Sequence, residues 1–374
     1  MAQAYTPGLT ITENMILRKD RILPLKGEVI VKKGDIVKSE DIVAKTELPG
    51  DIVPINIANK LSISPNEVPH KMLKKAGEKI KNGEILAVTN TFFGLFKNKV
   101  LSPFDGTIEN ISNITGQVLL RQPPIPVQIS AFIDGIVSKV YPQEGVQIET
   151  KAAYVQGIFG IGGEVIGELK MVVSSPDKVL TADDITPDCK GKIIVGGKMV
   201  EYEAIKKAVS LKVKGIVVGG LDDKDLRKFL GYDIGVAITG HEKKGLTLVV
   251  TEGFGSINMA NETFNLLNKF KGYKTSIHGK TQIRAGVMRP EIIIPIKFKT
   301  EDLKQKAKKI TGLKIGSQIR IIREPHFGKI GKVTALPEDL AVVQSETKVR
   351  ILKAHLEDGK EVIVPRANVE AIEE

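Results

Sequence analysis

Hydrophobic positions along this chain change their period twice. Up to about residue 150 they come as short alternating runs parted by glycine–acid turns, the pattern of half-buried strands. From about Thr186 the apolar runs become unbroken, and helix-period stretches separate them. Lys192–Val195, Gly215–Val218, Gly235–Ile238 and Leu246–Val250 read as buried strands. Tyr202–Leu211, Asp223–Leu230 and Met259–Lys269 read as helices, the second with Asp at its start. Strands alternating with helices in this way predict a parallel α/β sheet. Past the helix-like stretch Glu301–Ile310, strict alternation returns: Ile315–Leu336 alternates, turns at Gly328 and alternates again, and Val362–Ile372 supplies further strand.

The first region also repeats itself. Val31–Ala44 and Leu73–Ala87 share one plan: a glycine–acid turn, a β residue, a second polar turn and an apolar pair. A different pattern recurs at Ser102–Ile108 followed by Thr115–Val118, and at Ala131–Val137 followed by Glu144–Ile148. In both copies a strand leaves an Asp-Gly turn and a second glycine turn opens the next strand. Strands this short cannot bury a face alone, so the repeats must close on one another. The plan resembles the barrel-sandwich hybrid of biotinyl and lipoyl carrier domains, which also recurs in RNA polymerase large subunits and in the membrane electron-transport subunit RnfC. Carrier domains present a modified lysine at a hairpin tip, as Met-Lys-Met or Asp-Lys. Here the corresponding segment reads Ala44-Lys45-Thr46-Glu47-Leu48-Pro49-Gly50, and Leu169-Lys170-Met171 is only a partial match. No cofactor is therefore expected on Lys45 or Lys170, and the module is read as scaffold or docking surface.

The alternating run Ile315–Leu336 resembles a KOW motif, the hairpin unit of NusG-type transcription elongation factors and of some ribosomal proteins. With the strands that follow it, the likeness extends over the last sixty residues, about a sixth of the chain. It implies an SH3-like barrel that docks on RNA, RNA polymerase or the ribosome and performs no chemistry. Alternation places Arg320 outward, with Ile319 and Ile321 facing the core. Arg320, Arg323, His326, Phe327, Lys329 and Lys332 line the hairpin and its tip, where Phe327 either stacks on a base or rests on the barrel. With Lys306, Lys308 and Lys309 just upstream they form the candidate nucleic-acid-binding set.

The chain has 374 residues, a net charge of +11 and a pI near 9.3. Its length suits a multidomain α+β protein, divided as 1–185 for the barrel-sandwich-like β domain, 186–295 for the α/β domain, and 296–374 for the basic linker and KOW-like barrel. Positive charge is unevenly spread. Lys297–Lys332 carries eleven basic residues against three acids, a balance of +8, whereas Val333–Glu374 carries five against nine, a balance of −4. That excess points to RNA or a ribonucleoprotein such as the ribosome or RNA polymerase; a solvated face is the plainer alternative. With aromatics at 5% and no Trp, phosphate contact rather than base stacking would carry the affinity. Protein partners are expected as well. A lone cysteine, Cys189, excludes a disulfide framework and a cysteine-rich zinc site. No apolar run reaches the length of a membrane span, and the amino terminus lacks a secretory plan, so a cytoplasmic protein without membrane insertion is expected.

Chemistry is sparse. The histidines, His70, His241, His278, His326 and His355, are scattered, and His241-Glu242 has no second histidine at helical spacing. No catalytic grouping, metal site or cofactor is expected. Gly157–Gly163 either cradles an anion or lets backbone pass close to backbone; it lacks the spacing of a P-loop or of a dinucleotide fingerprint. A better candidate follows the strand Leu246–Val250. There Gly253, Gly255 and Ser256 would offer amides to an anionic ligand at the head of a helix, with Thr239, Gly240 and His241 on the adjoining loop. A tight turn without ligand is the alternative. Lys280, Arg284 and Arg289 grip a phosphate or carboxylate, or else sit on an exposed hairpin between domains. The leading reading is a non-enzymatic adaptor that binds RNA or a transcription or translation machine. Its rivals are an α/β ligand-binding or enzymatic core with β modules as assembly surfaces, and a structural subunit of a larger complex.

Overall fold

The computed structural model describes residues 9–91, 96–232, 244–281, 288–296, 313–321, 326, 329–337, 340–342, 348–356 and 359–372. The repeats seen in the sequence are one turn used four times. The Lys32 and Lys38 amides donate to the carboxylates of Asp35 and Asp41, each at 2.8 Å, and those of Lys75 and Lys81 to Glu78 and Glu84 at 3.0 and 2.9 Å. Each acid returns its own amide to the carbonyl three residues back, at 2.9–3.2 Å. Gly34 and Gly77 enter these turns with φ of 94° and 90°, a region closed to most side chains.

Closure follows the second pattern. Gly34 donates to the Val137 carbonyl at 2.8 Å, and Val137 donates back to Asp35 at 2.9 Å. The same exchange joins Gly77 with Ile108 at 2.7 Å and Ile108 with Glu78 at 3.0 Å. The Asp-Gly turns add matching locks, since Asp134 accepts from the Ser39 amide at 2.7 Å and Asp105 from the Asn82 amide at 2.6 Å. The first repeat therefore closes on the last and the second on the third, so one unit is nested inside the other. The inner unit has its own core of Ile55, Leu61, Leu86, Val100, Ile108 and Leu120. The outer core includes Val43, Phe132, Ile133 and Val146 and extends to Ile293, far down the chain.

That extension comes from the strand Gly145–Gln156. It pairs antiparallel with Ile11–Ile22, with Gly135–Tyr141 and with Glu291–Pro295. The sheet then continues through Lys274–His278 to Glu164–Met171, which starts a parallel run with Ile193–Val195, Gly215–Leu221 and Thr247–Phe254. Phe159–Ile161 closes the far edge antiparallel. The helices Tyr202–Ser210, Asp223–Leu230 and Asn261–Lys269 accompany the parallel part. Asp222 caps the second by accepting from the Lys224 amide at 2.8 Å, and Gly231 ends it with φ of 81°. Parallel pairing is as the periodicity predicts; the expected strand Gly235–Ile238 lies outside the described residues. The position expected as a domain boundary, 186, falls within a continuous sheet, because Leu169 pairs with Ile193 across it. In the cluster Gly157–Gly163, a Cβ at Gly160 would lie 2.6 Å from the Gly279 carbonyl oxygen and 2.8 Å from that of Leu248. These glycines permit close passage of backbone.

The carboxyl-terminal β unit comprises Gln318–Ile321, Ile330–Ala335, Leu340–Val342, Lys348–Leu356, Glu361–Pro365 and Val369–Ile372. Ile319, Ile321, Val333, Leu352, Leu356 and Val364 fill its core. The protein is thus a β-rich, multidomain α+β molecule.

Candidate functional site at the seam of the terminal β unit

Arg320 decides how the terminal unit sits. Its neighbours Ile319 and Ile321 point into that unit's core, as alternation requires, and Arg320 points out of it. Outward is not solvent here, which corrects the expectation of an exposed contact: the side chain is 2% exposed. One guanidinium nitrogen donates to the Thr251 carbonyl at 3.2 Å and another to the Glu252 carboxylate, both at the carboxyl end of the strand Thr247–Phe254. The third nitrogen, Nε, is buried without a hydrogen-bond partner. Gln318 reaches Glu262 on the helix Asn261–Lys269 at 3.3 Å, and Ile330 packs on the α/β core. Period-two alternation assigns faces but cannot say what covers them. The signal for this contact was Glu252, an acid inside an otherwise apolar strand, which demands a partner.

Glu252 also serves the α/β unit. Its second oxygen accepts from the Ala260 amide at 3.0 Å, next to the start of the helix Asn261–Lys269. A protein carboxylate therefore stands at the positive end of this helix, where a bound anion was expected. Of the predicted glycines, Gly253 is buried within its strand and paired with Gly220. Gly255 gives its amide to the Leu221 carbonyl at 2.9 Å. The following turn folds back so closely that a Cβ at Gly219 would lie 2.6 Å from the Ile257 carbonyl oxygen. Ser256 is exposed. Thr239, Gly240 and His241 lie outside the described residues, as do Arg284, Lys306, Lys308, Lys309, Arg323 and Phe327. His326 is half-buried, and its carbonyl accepts from the Lys329 amide at 3.1 Å; Lys332 is exposed. The two carrier-type lysines are both ion-paired within strands, Lys45 with Glu28 at 3.0 Å and Lys170 with Asp188. The Lys170 ammonium and the Thr186 hydroxyl hold the Asp188 carboxyl at about 2.

A second polar grouping had no signature in the sequence, because its members come from five strands, from Ile11–Ile22 to Glu291–Pro295. Glu164, His278 and Glu291 stand directly opposite one another on adjacent strands. Arg21 holds Glu164 with two bonds of 2.5 and 2.7 Å, while Lys19 pairs with Glu291, which also accepts from the Tyr154 hydroxyl at 3.3 Å. Burial pushes the His278 imidazole below the usual histidine range despite its two acidic neighbours, and pushes the Tyr154 hydroxyl up. Both carboxylates are already committed to cations. Among the described residues no three His, Cys, Asp or Glu side chains stand together to hold a metal, and no helix is long and apolar enough to cross a membrane.

No protein-family profile matches the chain, and no curated protein does. Among solved structures, the chain is similar to one in the crystal structure of an MjSpt4:Spt5 complex in conformation B, at 14% identity and a TM-score of 0.13. The likeness covers 26% of this chain and 78% of the other. So low a score carries no argument about fold or activity.

Proposed function

We propose that the protein is a non-enzymatic adaptor that engages RNA or a ribonucleoprotein through its KOW-like terminal unit and the basic stretch leading into it. The observation that carries this reading is the run Lys297–Lys332, whose balance of +8 is still +7 without the buried Arg320 that fastens the β unit to the α/β rim. Fastening fixes the hairpin strands Gln318–Ile321 and Ile330–Ala335 on the α/β rim. Lys332 stays exposed on the same hairpin. The nested amino-terminal units serve as scaffold, consistent with their ion-paired lysines.

Binding is expected to be weak, independent of base sequence and steeply dependent on salt. Each phosphate neutralised contributes roughly 0.7–0.9 to the slope of log affinity against log salt, so four engaged side chains give about −3. Titration of a single-stranded RNA by fluorescence anisotropy across a salt series measures that slope. A flat salt response, or no binding at low salt, would refute the reading.

A further inference from the structure

The outer face of the terminal unit is only half covered. Gln318 stands opposite Lys332, and Arg320 opposite Ile330, so all four share one face. The α/β rim closes the Arg320–Ile330 end. The face then continues into the open through two cross-strand rows, Lys332–His355–Glu361 and Ala335–Lys353–Ile363. Lys332, His355 and Glu361 are exposed, and Ile363 is 59% exposed in the middle of its strand. Where the covered and open halves meet there is a cavity of about 410 Å³, lined by Gln318, Ile330, Lys332, Val333, His355 and Leu356 among others.

We propose that this open face docks an acidic segment of a partner protein, with an apolar side chain of that segment seated in the cavity. The segment's carboxylates meet Lys332 and Lys353. Charge complementarity and apolar content together select this occupant. Among the described residues of the two rows, Lys332 and Lys353 outweigh the single acid Glu361, yet the exposed Ile363 and the half-buried Ile330 offer apolar surface that a sugar-phosphate backbone cannot use. Neither row carries a Phe, Tyr or Trp ring; the one ring there is the exposed imidazole of His355. Glu361, within 3.5 Å of the Thr334 hydroxyl, would also repel regularly spaced phosphates, whereas a peptide can place its acids to avoid it. The site shares Lys332 with the basic stretch assigned to RNA, but Lys353 and Ile363 lie outside that stretch, so failure of RNA binding would leave it standing.

The full chain tests this with three labelled synthetic peptides: one of Glu and Asp interspersed with Leu, the same with every Leu changed to Ser, and one with its acids changed to Lys. An unlabelled single-stranded RNA serves as competitor. Binding of the acidic leucine peptide is expected, with a loss of roughly tenfold on removing its leucines, the scale of a buried aliphatic anchor. Lys353→Glu and Ile363→Ser should each weaken it to a similar degree while melting like the parent; should either fail to fold, Lys332→Glu takes its place. Equal binding of the leucine-free peptide, indifference to these substitutions, or no peptide binding at millimolar concentration would overturn the proposal. So would RNA binding that depends on Lys353 while the peptides stay unbound, since the face would then belong to RNA.

Discussion

Two residues carry more than their alternation suggests. Removing the Arg320 side chain leaves Glu252 buried with only the Ala260 amide, and unpairing a buried charge costs about 3–5 kcal/mol. Arg320→Ala should therefore lower the urea midpoint sharply, while Lys332→Ala, on an exposed position of the same face, stays within about 0.5 kcal/mol of the parent. Comparable losses for the two would mean that the seam is not where stability resides. His278 gives a pH dependence. Its pKa is lowered in the fold by burial, so between that lowered value and the ordinary value of about 6.5 the unfolded chain binds more protons than the folded one. Stability is full above that window and falls as the pH drops through it. His278→Gln should flatten this part of the curve in urea unfolding followed from pH 7 downward; an unchanged slope would assign it to other groups. The sequence disclosed which face Arg320 takes, because side-chain direction is a local matter. It could not disclose that the face is covered, because Thr251 and Glu252 are about seventy positions away.

The elements of the repeats were legible because their chemistry is short-range. An acid three residues after a lysine fixes the side-chain acceptor in all four turns, a glycine before it sets the backbone twist in three, and the four bonds have nearly equal lengths. The bounds of the helix Asp223–Leu230 were legible for the same reason. Which repeat closes on which was not, since nesting depends on contacts between segments 31 residues apart in the inner unit and 103 in the outer. Glycine gives a test at this scale. Gly160→Ala would force a methyl against two backbone carbonyls and should cost about 1–3 kcal/mol or more, whereas Gly163→Ala meets nothing within 4 Å and should be nearly neutral. Equal melting temperatures for the pair would contradict the close passage of Phe159–Ile161 over Gly279. Lys45 and Lys170, held in ion pairs along strands, should carry no biotinyl or lipoyl group. Intact-mass measurement of protein from its own host decides that, and an added mass of either kind would undo the scaffold reading.

At the scale of the molecule, the seam fixes the attitude of the terminal unit, and charge reversal should release it. Arg320→Glu places two acids face to face at Thr251–Glu252, and small-angle scattering should record a larger radius of gyration with the far-ultraviolet spectrum preserved. An unchanged radius would show that Gln318 and Ile330 hold the unit unaided. Pairing across the large sheet has a further consequence, for synthesis rather than function. Among the described residues the strand Ile11–Ile22 finds its strand partner in Gly145–Gln156, and that partner's other edge waits for Glu291–Pro295. As the chain emerges from the ribosome, the inner nested unit can close early, while the first strand remains an open edge until much of the chain has been made. Its charges, Glu13, Arg18, Lys19, Asp20 and Arg21, then act as gatekeepers against premature pairing with other nascent chains. Three of them, Arg18, Lys19 and Arg21, later pair with Glu149, Glu291 and Glu164 across the sheet, so one short segment guards the edge during translation and seals it afterwards.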